Sequence, residues 1–214
     1  MADAPGGRVS DLLRPDLAHV AELIPAGSRV LDLGCGPGTL LRHLIDERGC
    51  SGTGVEHDPD MLLAAIAAGV PVLDLDLDAD LGEFADKSYD VVVLSRTLQT
   101  VQRPSDVLAQ MARISDRLVV SMPNFGLWRH RLRLLSGHMP QSRELPFAWY
   151  DTPNLHHATL VDLERYFAAL GLEVEQRIPL TEAGRRLRTD RGANLVAGAA
   201  IYLLRPVVTA GSDA

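Results

Sequence analysis

The chain has 214 residues, 46% of them hydrophobic, and a formal charge of −7. That length and apolar fraction suit a single domain with its own core and argue against disorder. The acidic balance argues against a general nucleic-acid binder, which needs a basic surface or stripe, and leaves small ligands open. The two cysteines, Cys35 and Cys50, form no CxxC pair and suggest no disulfide framework, so a reducing cytoplasm is the expected compartment. The N-terminal MADAPGGRVSDLL lacks the basic-then-apolar pattern of a secretory leader, and no apolar run approaches membrane-spanning length. One domain is expected over residues 8–206, with flexible tails at 1–7 and 207–214.

Along the chain, strands and helices alternate. Arg29–Leu33 reads as a strand and Thr39–Arg48 as a helix. Gly52–Glu56 is a short strand, and Asp58-Pro59 opens a helix to Ala68, Pro59 suiting a first turn. Val70–Leu75 is strand-like, and Tyr89–Ser95 (YDVVVLS) is the clearest buried strand. A helix over Ser105–Ile114 and a strand over Arg117–Met122, stopped by Pro123, complete a rhythm that predicts a doubly wound α/β sheet, mostly parallel. The rhythm breaks at 123–157, which holds both tryptophans and predicts a helix over Leu127–Leu135 followed by a Pro-rich stretch. Thr159–Leu170 is an amphipathic helix ended by Gly171. Leu172–Ile178 and Leu195–Leu204 read as final strands, joined by a polar, mobile TEAGRRLRTDRGA connection into a terminal antiparallel hairpin.

The chemistry gathers at VLDLGCGPG, residues 30–38. A ligand of a doubly wound sheet sits beyond the carboxyl ends of its strands. Gly34 and Gly36 permit unusual φ and close backbone approach. Gly38 lets the next helix start tight against the sheet, and exposed N–H groups there favour an electron-rich ligand atom. The spacing departs from the dinucleotide fingerprint, the third glycine coming one residue early. Glu56, about 20 residues on, suits ribose hydroxyls. Asp76 suits an adenine amino group, and Asp32 a cationic group directly or through water. Asp74, Asp78 and Asp80 read as structural members of an acidic run. No metal site is expected: His156 and His157 are adjacent and no acid or histidine cluster has ligand spacing. Cys35 is expected to be a packing residue, and Trp128 and Trp149 are expected in the core.

VLDLGCGPG, GVEHD (54–58), LDLDLD (73–78) and YDVVVLSRTLQ (89–99) together resemble the S-adenosylmethionine site of class I methyltransferases. The resemblance implies a Rossmann-like seven-stranded sheet. It also implies an adenosyl site made of Asp32, Gly34, Cys35, Gly36, Gly38, Glu56, His57, Asp76, Leu77 and Ser95, holding S-adenosylmethionine or S-adenosylhomocysteine. LSRTLQTVQRPSDVL (94–108), PNFGLWRHRLRLL (123–135), GHMP (137–140) and LPFAWYDTPNLHHAT (145–159) resemble the MetW family of methionine-biosynthesis proteins, over about residues 9–205. This second resemblance implies a partner, homoserine O-acyltransferase (acetyl or succinyl), which such a chain accompanies and supports. The 123–157 insertion is then a partner-docking surface or a substrate lid. Tyr150, Asp151 and His156, with His157 beside them, are the candidate acceptor-facing groups. Three readings follow: an adenosyl-binding regulatory subunit, an active small-molecule methyltransferase, or a fold that has lost its cofactor and only scaffolds. No nucleic-acid or membrane partner is expected.

Overall fold

A computed structural model describes residues 13–207. The expected flanking tails lie outside that range except for Val207, whose N–H donates to Gly171 O at 2.8 Å. Helix α1 covers Pro15–Glu22, followed by β1 (Arg29–Leu33), α2 (Thr39–Arg48), β2 (Ser51–Val55), α3 (Pro59–Ala67), β3 (Val72–Leu73) and β4 (Val91–Ser95). The second half adds α4 (Pro104–Ile114), β5 (Leu118–Pro123), α5 (Trp128–Leu135), α6 (Leu160–Ala169), β6 (Leu172–Leu180), α7 (Ala193–Val196) and β7 (Ala199–Pro206). The seven strands lie in the order β3-β2-β1-β4-β5-β7-β6. β1 to β5 pair in parallel, and β7 runs antiparallel between β5 and β6. This is the doubly wound sheet with a terminal antiparallel hairpin that the sequence predicts.

Both faces of the sheet are covered, which explains why the central strands are apolar on consecutive residues instead of alternating. Leu31, Leu33, Val92, Leu94 and Leu118 face Leu108, Met111 and Ile114 of α4 and Leu163 and Phe167 of α6. Val30, Val91, Val93 and Val119 face Leu17, Val20 and Ala21 of α1 and Leu40, Leu41 and Leu44 of α2. α1 has no counterpart in the predicted elements, although Pro15 in its first turn and the buried spacing Leu17, Val20, Ala21 carry a helix signal.

Several predicted boundaries change, each for a local reason. The third strand shrinks from Val70–Leu75 to two residues. Val70 N–H is spent on Ala65 O at the end of α3, and Pro71 has no N–H to give a ladder. The last strand starts at Ala199, not Leu195, because 193–196 winds into the short helix α7 behind Gly192, at φ 70°. Asn194 in that turn accepts from Leu160 N–H at 2.9 Å, capping α6 from outside. The Arg-rich connection is tied down at its start: Thr181 N–H donates to Arg185 O and Leu187 N–H to Pro179 O, each at 2.8 Å. Trp128 and Trp149 are exposed, not core. α5 buries only His130 and leaves the rest of its apolar side outward.

Candidate functional site

A cavity of about 260 Å³ opens at the carboxyl ends of β1 and β4. Asp32, Gly34, Cys35, Gly36 and Ser95, five of the residues that the resemblance implies for an adenosyl site, line it. Arg14, Leu17, Pro37, Thr39, Leu40, Arg96 and Thr97 line it as well and went unpredicted. Gly38 supports the wall from behind. Glu56 joins it through a hydrogen bond from Gly36 N–H at 2.8 Å. His57, Asp76 and Leu77 lie outside it: His57 is exposed with Nδ1 3.0 Å from Asp74 Oδ1, Asp76 is exposed, and Leu77 is half-buried against the core.

The three glycines are required for different reasons. Gly34, Gly36 and Gly38 have φ of 69°, 55° and 74°, the left-handed region in which a β-carbon is costly. A β-carbon on Gly34 would stand 2.5 Å from Thr97 Oγ1, and one on Gly38 2.9 Å from Val70 Cγ2. Those two glycines therefore serve packing. A β-carbon on Gly36 meets nothing within 4 Å, so its backbone borders open space.

The loop's amides are less available than its glycine content suggests. Gly34 and Cys35 N–H both donate to Val55 O, at 2.8 and 3.0 Å, and Gly38 N–H donates to Cys35 O at 3.1 Å. Gly36 N–H is held by Glu56. The parallel β1–β2 pairing continues into the loop and consumes its amides, which leaves the expected exposed N–H groups to the start of α2. The next amides, at Thr39 and Leu40, open α2 beside the cavity. Glu56 Oε1 also accepts from His57 and Asp58 N–H, each at 2.9 Å. A carboxylate offers about four acceptor sites, and three are in use, so one remains for a hydroxyl.

The electrostatics centre on Asp32. It is buried, and desolvation raises its carboxyl to about 7, with Arg14 opposing and Glu56 adding to the rise. Cys35 tucks its sulfur over Gly54, where an added β-carbon would lie 2.5 Å from Sγ. Burial, helped by Asp32 and Glu56, pushes that thiol up to about 12. Cys35 and Cys50 are both buried. Neither thiol is therefore expected to react with Ellman's reagent at pH 8 in the folded protein, and both should react in denaturant; a fast native-state reaction would contradict the packing.

The acidic run is used partly within its own loop and partly to hold the start of α4. Asp78 accepts from Gln102 and Arg103 N–H at 2.9 Å, Asp76 from Asp78 N–H and Asp80 from Asp76 N–H. Tyr150 and Asp151 are exposed and outside the cavity. His156 lies in a tight apolar crease with Gln99 and Phe125, and Phe125 stacks edge-on against His157 at 4.9 Å. None of the acceptor-facing candidates lines the cavity. The 123–157 segment reaches the cavity wall indirectly, through Glu144, whose carboxylate meets Arg96 Nη2 at 2.6 Å. Arg14 lies in no quoted motif, and Arg96, although inside YDVVVLSRTLQ and LSRTLQTVQRPSDVL, had no role assigned from them. Among the described residues no group of three or more His, Cys, Asp or Glu side chains could hold a metal, and no helix is long and apolar enough to cross a membrane.

Comparison with known proteins places this geometry. Solved structures with the same fold include a SAM-dependent methyltransferase from Archaeoglobus fulgidus, with TM-score 0.66 and 18% identity, covering 93% of this chain and 95% of that one. Another is the magnesium protoporphyrin IX methyltransferase from Synechocystis with bound SAH, with TM-score 0.61 and 18% identity, covering 92% and 81%. Among curated proteins, the bifunctional methionine biosynthesis protein MetXA/MetW of Rhodopirellula baltica is 34% identical over 200 residues, 88% of this chain and 32% of that protein. Trans-aconitate 2-methyltransferase of Streptomyces avermitilis is 40% identical over 92 residues, 40% of this chain and 34% of that protein. These alignments span about a third of each curated relative's length. The family model for methionine biosynthesis protein MetW matches residues 14–204, and the chain belongs to that family.

Proposed function

We propose that this chain binds S-adenosylmethionine or S-adenosylhomocysteine and acts as an accessory subunit of a homoserine O-acyltransferase, docking through residues 128–155. The cavity supports the ligand half. Gly36 borders open space, Glu56 keeps one acceptor site, and Asp32 presents a buried carboxyl where an amino acid's ammonium would balance it. Arg14 and Arg96 supply cations for a carboxylate. When bound, S-adenosylmethionine supplies a sulfonium-activated methyl group; the chain's own residues bind and orient it.

One observation carries the docking half. The segment exposes a run of large apolar side chains, with Leu135 84%, Trp149 70% and Tyr150 76% exposed beside Trp128, Leu132 and Phe147. Monomeric soluble proteins seldom leave such a patch bare, and Trp and Tyr are favoured interface anchors. The Rhodopirellula relative, whose name pairs MetXA with MetW in one chain, supports the choice of occupant. Methyl transfer by this chain to a bound small molecule is the alternative; of the acceptor-facing candidates, Tyr150, Asp151 and His156, none lines the cavity.

The test is calorimetric titration of purified homoserine O-acyltransferase into this protein. Trp149→Ala is expected to weaken the complex by about 2 kcal/mol or more, the scale of an interface anchor. A second apolar surface, Met61, Leu63 and Ile66 on α3, supplies the control: Leu63→Glu should leave binding intact. Loss of binding with Leu63→Glu alone would move the docking face to α3. No complex with the wild type would sink the accessory reading.

A further inference from the structure

Arg96 stands where the cavity, α1 and the 123–157 segment meet. Its φ is 59°, a conformation that costs a non-glycine residue free energy and tends to persist at ligand clamps. Its N–H donates to Ser121 O and Ser121 Oγ, both at 3.1 Å, so β5 holds the strained turn in place. The guanidinium lines the cavity and meets two buried carboxylates, with Nε 3.1 Å from Asp16 Oδ2 and Nη2 2.6 Å from Glu144 Oε2.

Asp16 and Glu144 are 4% and 8% exposed, so both carboxylates depend on the Arg96 guanidinium for compensation inside the protein. Burial, with Asp16 adding and Arg96 opposing, holds the Glu144 carboxyl above its ordinary range. Between residues 141 and 151 the backbone hydrogen bonds are local, Ser142 with Leu145 and Asp151 with Ala148. The stretch is fixed to the body through the side chains of Glu144 and Leu145, and it carries Phe147, Trp149 and Tyr150 outward.

We propose that Arg96 is a two-position clamp: with the cavity free it holds Glu144, and the α-carboxylate of an adenosyl amino acid takes the guanidinium away, releasing residues 141–151. The inference rests on the adenosyl reading of the cavity. The ligand carboxylate and the Glu144 side chain are the same chemical group competing for one cation. Asp16 and Glu144 already occupy the two cations there, Arg96 and the Arg14 guanidinium 3.4 Å from Asp16 Oδ2; a third carboxylate finds no unused positive charge, so Glu144 and the stretch it anchors move out. The segment released is part of the docking face, so the ligand and the partner become coupled, and the coupling is reciprocal.

The test uses two ligands that differ by one group, S-adenosylmethionine and decarboxylated S-adenosylmethionine. Calorimetry reads binding, and hydrogen exchange of residues 141–151 reads release. Both ligands are expected to bind, and only the carboxylated one should speed exchange, by about tenfold, within the usual range of coupling between sites. Glu144→Gln should tighten S-adenosylmethionine by a similar factor and leave the decarboxylated ligand unchanged. Equal effects of the two ligands on exchange, or bound S-adenosylmethionine with no effect, would overturn the clamp while leaving the cavity reading intact. Failure of both ligands to bind would overturn the cavity reading and the clamp with it.

Discussion

Gly36→Val should weaken adenosyl-ligand binding by up to about a hundredfold while the protein still folds. The substituted β-carbon meets nothing in the protein, so folding bears only the left-handed φ, roughly 1–2 kcal/mol for a residue with a side chain. A ligand lying against the loop meets the new isopropyl group. Overpacking of 1–3 kcal/mol corresponds to a loss of up to about a hundredfold in affinity. Gly34→Ala gives the opposite pattern. Its β-carbon would lie 2.5 Å from Thr97 Oγ1 and 2.7 Å from Thr97 Cγ2, and the expected result is a loss of about 2–4 kcal/mol in stability from clash and strain together. Thermal melts and calorimetry on the two variants separate the roles. A Gly36→Val protein that binds S-adenosylhomocysteine as tightly as wild type would place the ligand elsewhere.

Asp32→Asn should stabilise the ligand-free protein at pH 8 and change it little at pH 4. The sign follows from burial. Burial pushes the folded carboxyl up to about 7 from its ordinary 3.8, so between those values the folded state binds more protons than the unfolded chain. Stability therefore falls as pH rises through that window, and the full cost is present above it. A difference of about three pH units corresponds to about 4 kcal/mol at pH 8, as an order of magnitude. The same group sets a pH dependence for the ligand. An ammonium beside Asp32 favours its ionised form, so S-adenosylmethionine affinity should rise by roughly tenfold per pH unit below about 7 and then level off. The Asn variant should lose that slope. A wild-type affinity independent of pH from 5.5 to 8 would show that Asp32 does not face the ligand's cation.

The parts legible in the sequence are those governed by local pattern. YDVVVLS, apolar on consecutive residues between polar ends, gives β4 because a strand covered on both faces carries no alternation. The glycine spacing gives a loop with three positive φ values at the place predicted. The illegible parts depend on partners distant in sequence. The left-handed backbone of Arg96 leaves no trace in its neighbours, and the Asp16–Arg96–Glu144 cluster joins three segments that no local pattern connects. Nor does composition reveal that Val55 O and Glu56 occupy the loop's amides, since that depends on the β1–β2 register. The usual habit of tryptophan predicts Trp128 and Trp149 in the core, and their places on the outer side of α5 and in the exposed stretch after it override that habit.

The position of β7 has a consequence for the order in which the sheet can be completed. β5 pairs with β4 on one side, but its other side waits for β7, where Leu118 meets Leu204 and Pro123 meets Ala199. β6 is translated before β7 yet has no neighbour of its own until β7 slides between them. During synthesis, therefore, the strand Leu118–Met122, apolar but for Ser121, keeps an open edge until β7 leaves the ribosome. Such an edge invites pairing with other chains, and long-range closure of this kind is slow. Insertion of β7 is thus the step that turns an aggregation-prone nascent chain into a closed sheet.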